Sequence, residues 1–263
     1  MATSTQGPRG EPESSLVRPI TDPREIDAFL KRLPIALDRE RFCQVVLGFP
    51  RRYLEVTPAA EVVRHYALLD SLGAREVVSS IAGRAGSYRM CVVARDRSSL
   101  FARIAGTLSS FGLSVVSAEA FANANAMVLD TFSCADPEGR FEAPSTRREF
   151  QVVLERVIRG GVEVGPLLER RLPGLRLPVG VAVRGEFDDT LHPAATRLAL
   201  AAPDCLGLLY LVSRALADAG CNIELAEVTT PAGAACDVFY LTRDGAKLDA
   251  AAKQRVLDAL AAL

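Results

Sequence analysis

Six cysteines and two histidines are the residues of this chain best suited to metal or nucleophilic chemistry, and their spacing favours neither. Cys43, Cys91, Cys134, Cys205, Cys221 and Cys236 include no C-x-x-C pair, and no histidine lies near them at a zinc-ligand spacing. Most fall in apolar runs, where a thiol behaves as a small hydrophobe. Cys205 stands near the expected start of a helix, a position that lowers thiol pKa and makes it the candidate reactive thiol; the plainer reading is an inert apolar side chain. His65 and His192, followed by tyrosine and proline, read as a helix-face and a loop histidine. No catalytic residue, metal ligand or cofactor is assigned.

The elements that would position any site follow from composition and pattern. A chain of 263 residues, 49% hydrophobic and 24% charged, has room for two or three cores. Its 31 basic and 32 acidic residues are balanced, so no field for nucleic acid is expected, and the arginine pairs such as Arg51-Arg52 read as solvated helix faces. No apolar run is long enough to cross a bilayer and no signal core opens the chain, which points to a reducing cytoplasm, no membrane partner and no disulfides.

Residues 1–24, rich in Gly, Pro, Ser and Thr, read as a disordered tail. Residues 25–84 read as a helical lead-in: a short helix from Glu25 to about Arg41, interrupted at Pro34, then one with Thr57 as N-cap, Pro58 at its first position and Gly73 at its end. A repeat then sets the architecture. Asp96, Leu100, Leu108, Gly112, Glu119, Asp130 and Phe132 match Asp204, Leu208, Leu216, Gly220, Glu227, Asp237 and Phe239 in register, with one-residue slips in the turns. Each unit offers an apolar strand, a turn opening with Asp, a helix with apolar residues every fourth position, a glycine for the αL cap, two strands and a second helix. Thr146 and Glu149 suggest a capping box for the first of these second helices. The expected class is α+β: two tandem ferredoxin-like βαββαβ units, 85–187 and 188–263, behind a short helical segment. The second unit reaches Leu263 without a fourth strand, and Val179–Phe187 either closes the first sheet or covers the edge of the second. Edge pairing, within the chain or in a homodimer, is expected.

From about Tyr53 onward the chain resembles the C-terminal tandem ACT-domain region of the bifunctional PII uridylyltransferase/uridylyl-removing enzyme. The likeness rests on Tyr53-Leu54 with Arg64-His65-Tyr66, Leu129-Asp130-Thr131-Phe132 with Asp136-Pro137-Glu138-Gly139-Arg140, Leu167-Leu168-Glu169-Arg170-Arg171, Ala202-Pro203-Asp204, Gly207-Leu208-Leu209-Tyr210 and Asp237-Val238-Phe239-Tyr240. The nucleotidyl-transfer pattern of that family, a Gly-Ser turn followed by paired aspartates, is not met by Gly86-Ser87, and its His-Asp metal dyad has no counterpart. The resemblance implies a non-catalytic sensor of a small amino acid, glutamine in that family, bound at an ACT–ACT interface between the first loop of the second unit and a neighbouring ACT strand, in nitrogen signalling. It implies as partner a PII-type protein or a nucleotidyltransferase on another chain; the alternative is an accessory part of a PII-modifying activity whose catalytic domains lie elsewhere. A ligand-free assembly module is the third reading.

In ACT modules the turn after the first strand ends in glycine, letting backbone amides approach a ligand carboxylate, and an asparagine opens the second strand. Asp204, Gly207, Leu208, Asn222 and Ile223 of the second repeat keep that pattern and form the expected ligand site, whereas the first repeat has Ser99 and Ser114 at the glycine and asparagine positions.

Overall fold

The computed structural model describes residues 18–31, 33, 37–173 and 182–263. In chain order the helices are α1 (Pro23–Leu30), α2 (Arg39–Val46), α3 (Arg51–Val56), α4 (Ala59–Leu72), α5 (Leu100–Ser110), α6 (Pro144–Ile158), α7 (Val164–Arg171), α8 (Leu208–Asp218) and α9 (Ala250–Ala261). The strands are β1 (Val77–Arg84), β2 (Ser87–Arg95), β3 (Ser114–Ala122), β4 (Met127–Ala135), β5 (Arg184–Asp188), β6 (Thr196–Pro203), β7 (Asn222–Thr229) and β8 (Ala234–Thr242).

All eight strands join in one antiparallel sheet of order β1-β2-β4-β3-β7-β8-β6-β5. Each half has the ferredoxin-like order, edge-first-third-second, with its helices on one face. The edge strand precedes each unit instead of ending it. β1 pairs with β2 and β5 with β6. Val77–Arg84 is therefore a strand of the first module, not part of a helical lead-in, and of the two readings of Val179–Phe187 the one that covers the second module's edge applies; 179–181 lie outside the described residues. The fourth strand of the second unit is thus taken from upstream, and β5 covers the β6 edge.

The β1–β2 hairpin demands glycine. Gly83 has φ +143°, and a Cβ there would stand 2.2 Å from the Ser87 carbonyl oxygen, inside any tolerable contact. We expect Gly83→Ala to peel the edge strand away at a cost of about 2–3 kcal/mol, seen in urea unfolding and as lost amide protection confined to β1.

The module helices pack on one sheet face. Leu100, Ile104 and Leu108 of α5 and Leu208, Val212 and Leu216 of α8 are buried there against Met90, Val92, Phe132 and Phe239, and the αL glycines Gly112 and Gly220 end both helices. The opposite face carries a second core, where Phe42, Phe49, Tyr53, Val62 and Leu69 of the N-terminal helices and their links cover Cys91, Val93, Phe121, Leu129 and Leu225. The lead-in is thus a third layer.

Several N-terminal expectations shift for local reasons. Residues 1–17 and Pro34 lie outside the described residues. Within the span expected to be a tail, Ile20 is 1% exposed and Asp22 accepts the Arg24 amide to cap α1, so Ile20 packs and residues 22–24 open a helix. Glu25–Arg41 holds two helix segments, α1 and the start of α2, rather than one. Pro58, not Thr57, is the N-cap of α4. α6 begins at Pro144, so Thr146 lies inside it, and Glu149 pairs with Arg171 instead of closing a box.

Candidate functional site

The seam between the modules is built by β3 and β7, with Ser117 opposite Thr229, Glu119 opposite Glu227 and Phe121 opposite Leu225. This is the side-by-side edge pairing expected of the two units, and it occurs within the chain. Because the matched residues Glu119 and Glu227 face each other, the two modules are related by a pseudo-twofold axis through this pair. Each loop after a module's first strand therefore lies at the start of the other module's second strand, not its own.

That crossing divides the expected site. The Asp96 amide bonds the Ala126 carbonyl at 2.8 Å, holding the first loop beside the β3–β4 turn and hence beside the start of β7. A cavity of about 40 Å³ there is lined by Asp96 and Ser99 of the first module and by Asn222 and Ile223 of the second, with Asp130 at its floor. The Asp204 amide likewise bonds the Gly233 carbonyl at 3.0 Å, placing Asp204, Gly207 and Leu208 at the far end of the seam, toward the start of β3 where Ser114 lies. Asn222 and Ile223 are thus brought to Asp96 and Ser99, and the five residues expected to act together sit at two pseudo-equivalent places. The ligand was expected at an interface between ACT units, beside the first loop of the second unit; which strand of the neighbouring unit meets that loop, and that Asn222 and Ile223 face the other loop, carried no mark in the sequence.

Both loops enter their helices through an αL residue, Ser99 at φ +60° and Gly207 at φ +85°. Ser99 thus keeps the turn at some strain. The Leu208 amide, expected to be a ligand donor, is already given to the Cys205 carbonyl at 3.1 Å, as Leu100 is to Arg97. The first-turn residues Phe101 and Ala102 line the cavity, and their amides belong to the set that a helix leaves without intrahelical partners. Arg97 is committed elsewhere: it donates to the Ile158 carbonyl at 2.9 Å and pairs with Glu76 at 3.3 Å.

The polar floor is acidic. Asp130 is fully buried, neither of its carboxylate oxygens has a hydrogen-bond partner among the described residues, and burial, followed by the charge of Asp96, pushes its pKa well up. Asp237, its match in the second module, is 2% exposed with Oδ1 unpartnered; burial raises it to about 7, against the Thr229 amide that lowers it and with Asp204 adding to the rise. Asp96 is also raised, by burial and then by Glu224.

Cys205 does not carry an activated thiol. Burial pushes its pKa up and Asp204 adds to this, outweighing the Leu208 amide at the helix start. All six cysteines are free thiols. His65 is buried, not on an open helix face, and burial lowers it to about 4; its Nδ1 and Nε2 lie 3.4 Å from the hydroxyls of Tyr53 and Thr131. His192 closes a loop by accepting the amides of Ala194 and Ala195 at Nδ1. Among the described residues no cluster of three or more His, Cys, Asp or Glu could hold a metal ion, and no helix is long and apolar enough to cross a membrane.

No protein-family profile matches the chain. It is 31% identical over 165 residues to the bifunctional uridylyltransferase/uridylyl-removing enzyme of Gluconobacter oxydans, a match covering 59% of this chain and 17% of that enzyme. The enzymes of the same name from Azospirillum brasilense and Ruegeria pomeroyi are each 32% identical, over 57% and 65% of this chain and 17% and 19% of theirs. Among solved structures, an aspartate kinase from Synechocystis aligns with 61% of this chain and 24% of its own at 15% identity and a TM-score of 0.32. Over more than half its length the chain is therefore a homologue of bifunctional uridylyltransferase/uridylyl-removing enzymes, of which it spans about a fifth.

Proposed function

We propose that this chain is a non-catalytic regulatory module that binds a small amino acid in the cavity shared by the Asp96–Ser99 loop and the start of β7. The observation that carries the reading is the makeup of that cavity across the seam: unpartnered acid at the floor, helix-start amides at the wall and Asn222 at the rim. A zwitterion matches it, its ammonium meeting Asp96 and Asp130 and its carboxylate the first turn of α5. Glutamine is the ligand that the resemblance favours.

A space of about 40 Å³ admits one or two waters and no amino acid. Entry therefore requires the loop and β7 to part, and because they belong to different modules the ligand favours one arrangement of the seam over another. That difference in affinity for two states is what allows a partner to read the bound ligand. Similarity to the uridylyltransferase enzymes favours a PII-type protein or a catalytic chain as that partner.

Calorimetric titration of the chain with L-glutamine is expected to show saturable binding, and a flat response across the amino acids would leave the assembly-module reading in its place. With a PII-type protein, UTP and Mg²⁺, the chain alone is expected to transfer no uridylyl group; measurable turnover would overturn the non-catalytic assignment.

A further inference from the structure

On the sheet face opposite α5 and α8, the N-terminal layer does not close down on the seam. It leaves a recess of about 360 Å³, roofed by Arg52, Thr57 and His65 and floored by the polar side chains of β3, β4 and β7. The strand registers define the floor: Thr131 stands next to Glu119, Glu119 next to Glu227, and Ser133 next to Ser117. None of these residues takes part in the cavity on the helix face.

The charges in the recess are unevenly met. Glu119 and Glu227 are directly opposed across the seam, an arrangement that is unfavourable for like charges. Glu227 is paired with Arg52, and Arg89 is paired with Glu61 at 3.4 Å. Glu119, half-buried, has neither a hydrogen bond nor an ion pair among the described residues, and burial together with Glu227 raises its pKa, against Arg89 and Arg52. Above it Thr57, 5% exposed, lines the recess with a hydroxyl that has no partner. His65, the other roof group, is neutral because burial holds its pKa near 4, so it brings no cation.

We propose that this recess is a second ligand site, and that it takes a small organic cation whose ammonium group faces Glu119. The ammonium supplies the positive charge that the opposed glutamates lack on the Glu119 side, and the hydroxyls of Ser117, Thr131 and Thr57 offer the remaining acceptors that an –NH₃⁺ group needs. An anion finds both lining arginines already paired. The recess volume falls in the range usual for small-molecule sites, about 300–1,000 Å³. Its walls come from three parts of the chain, with Thr57 in the N-terminal layer, Glu119 in the first module and Glu227 in the second. A bound cation thus fastens all three together, independently of whether the other cavity binds an amino acid.

The test uses the full chain with 1,4-diaminobutane as probe and 1,4-butanediol, the neutral isostere, at matched ionic strength. The diamine is expected to raise Tm saturably and to shift the amide resonances of Glu119 and Glu227, while the diol does neither. Glu119→Gln is expected to raise the ligand-free Tm by removing the unmet charge and to weaken the diamine response at least tenfold, and Asn222→Ala to leave it unchanged. A response equal for diamine and diol, one unaltered in Glu119→Gln, or wild-type amide shifts confined to exposed acidic residues away from the seam would each overturn the proposal. The resonance shifts decide the matter on the wild type even if the variant does not fold.

Discussion

Replacing Asp237 by asparagine should flatten the fall in stability of this protein between pH 4 and pH 8, and should leave the variant more stable than the wild type at the alkaline end. The carboxyl lies in the core under α8, and burial lifts its pKa from 3.8 to about 7. A carboxyl whose folded pKa is raised binds its proton more tightly folded than unfolded. Its contribution is then fully present below the unfolded pKa near 4 and is lost as pH rises through 7. At about 1.4 kcal/mol per pKa unit the loss is on the order of 4 kcal/mol. Asparagine accepts the Thr229 amide equally well and does not ionise. Urea melts at pH 4 should give nearly coincident midpoints, and melts at pH 8 should separate them by most of that amount. Asp130→Asn should behave in the same sense, since both oxygens of that buried carboxyl lack partners. Coincident midpoints at both pH values would show that Asp237 finds a counter-charge in solution.

The repeat, its helices and their αL glycines were legible because they repeat at helical and strand periods, and Leu100, Ile104 and Leu108 are buried as that spacing requires. The turn between β3 and β4 carries its mark in Asn123 and Asn125: Asn123 Oδ1 accepts the amides of Asn125 and Met127. What escaped notice was the second covered face. Met90 to Ala94 is an unbroken apolar run, the mark of a strand buried on both sides, and Cys91 and Val93 do lie under the N-terminal layer while Met90 and Val92 lie under α5. β1 was hidden for another reason. Beyond Val77 and Val78 most of it is exposed, as an edge strand is, so it carries little apolar signal, and only Gly83 and the turn at Gly86 mark the hairpin.

Which residues share each half-site was illegible because the choice of strands that pair between modules is long-range, and that choice produces the second large effect expected here. If the ligand cavity spans the seam, Ser99 and Asn222 share one ligand although they come from different repeats. Ligand at about 100 times its dissociation constant stabilises the wild type by about 2.7 kcal/mol. Ala122→Phe, on the cavity wall, fills a space of about 40 Å³ and should abolish nearly all of that stabilisation. Asn222→Ala should lose about 0.5–1.5 kcal/mol of binding. Ser99→Gly keeps the αL turn without a side chain and gives the amides of α5 a closer approach, so its effect on affinity should depend on whether Asn222 still orients the ligand. A double-mutant cycle between Ser99 and Asn222 should therefore show a coupling of at least about 0.5 kcal/mol. The cycle between Gly207 and Asn222 should be additive, because Gly207 lies at the other end of the seam, and Gly207→Val should leave the thermal shift with glutamine intact. Coupling of Asn222 to Gly207 with none to Ser99 would place the ligand within the second module and undo the shared cavity.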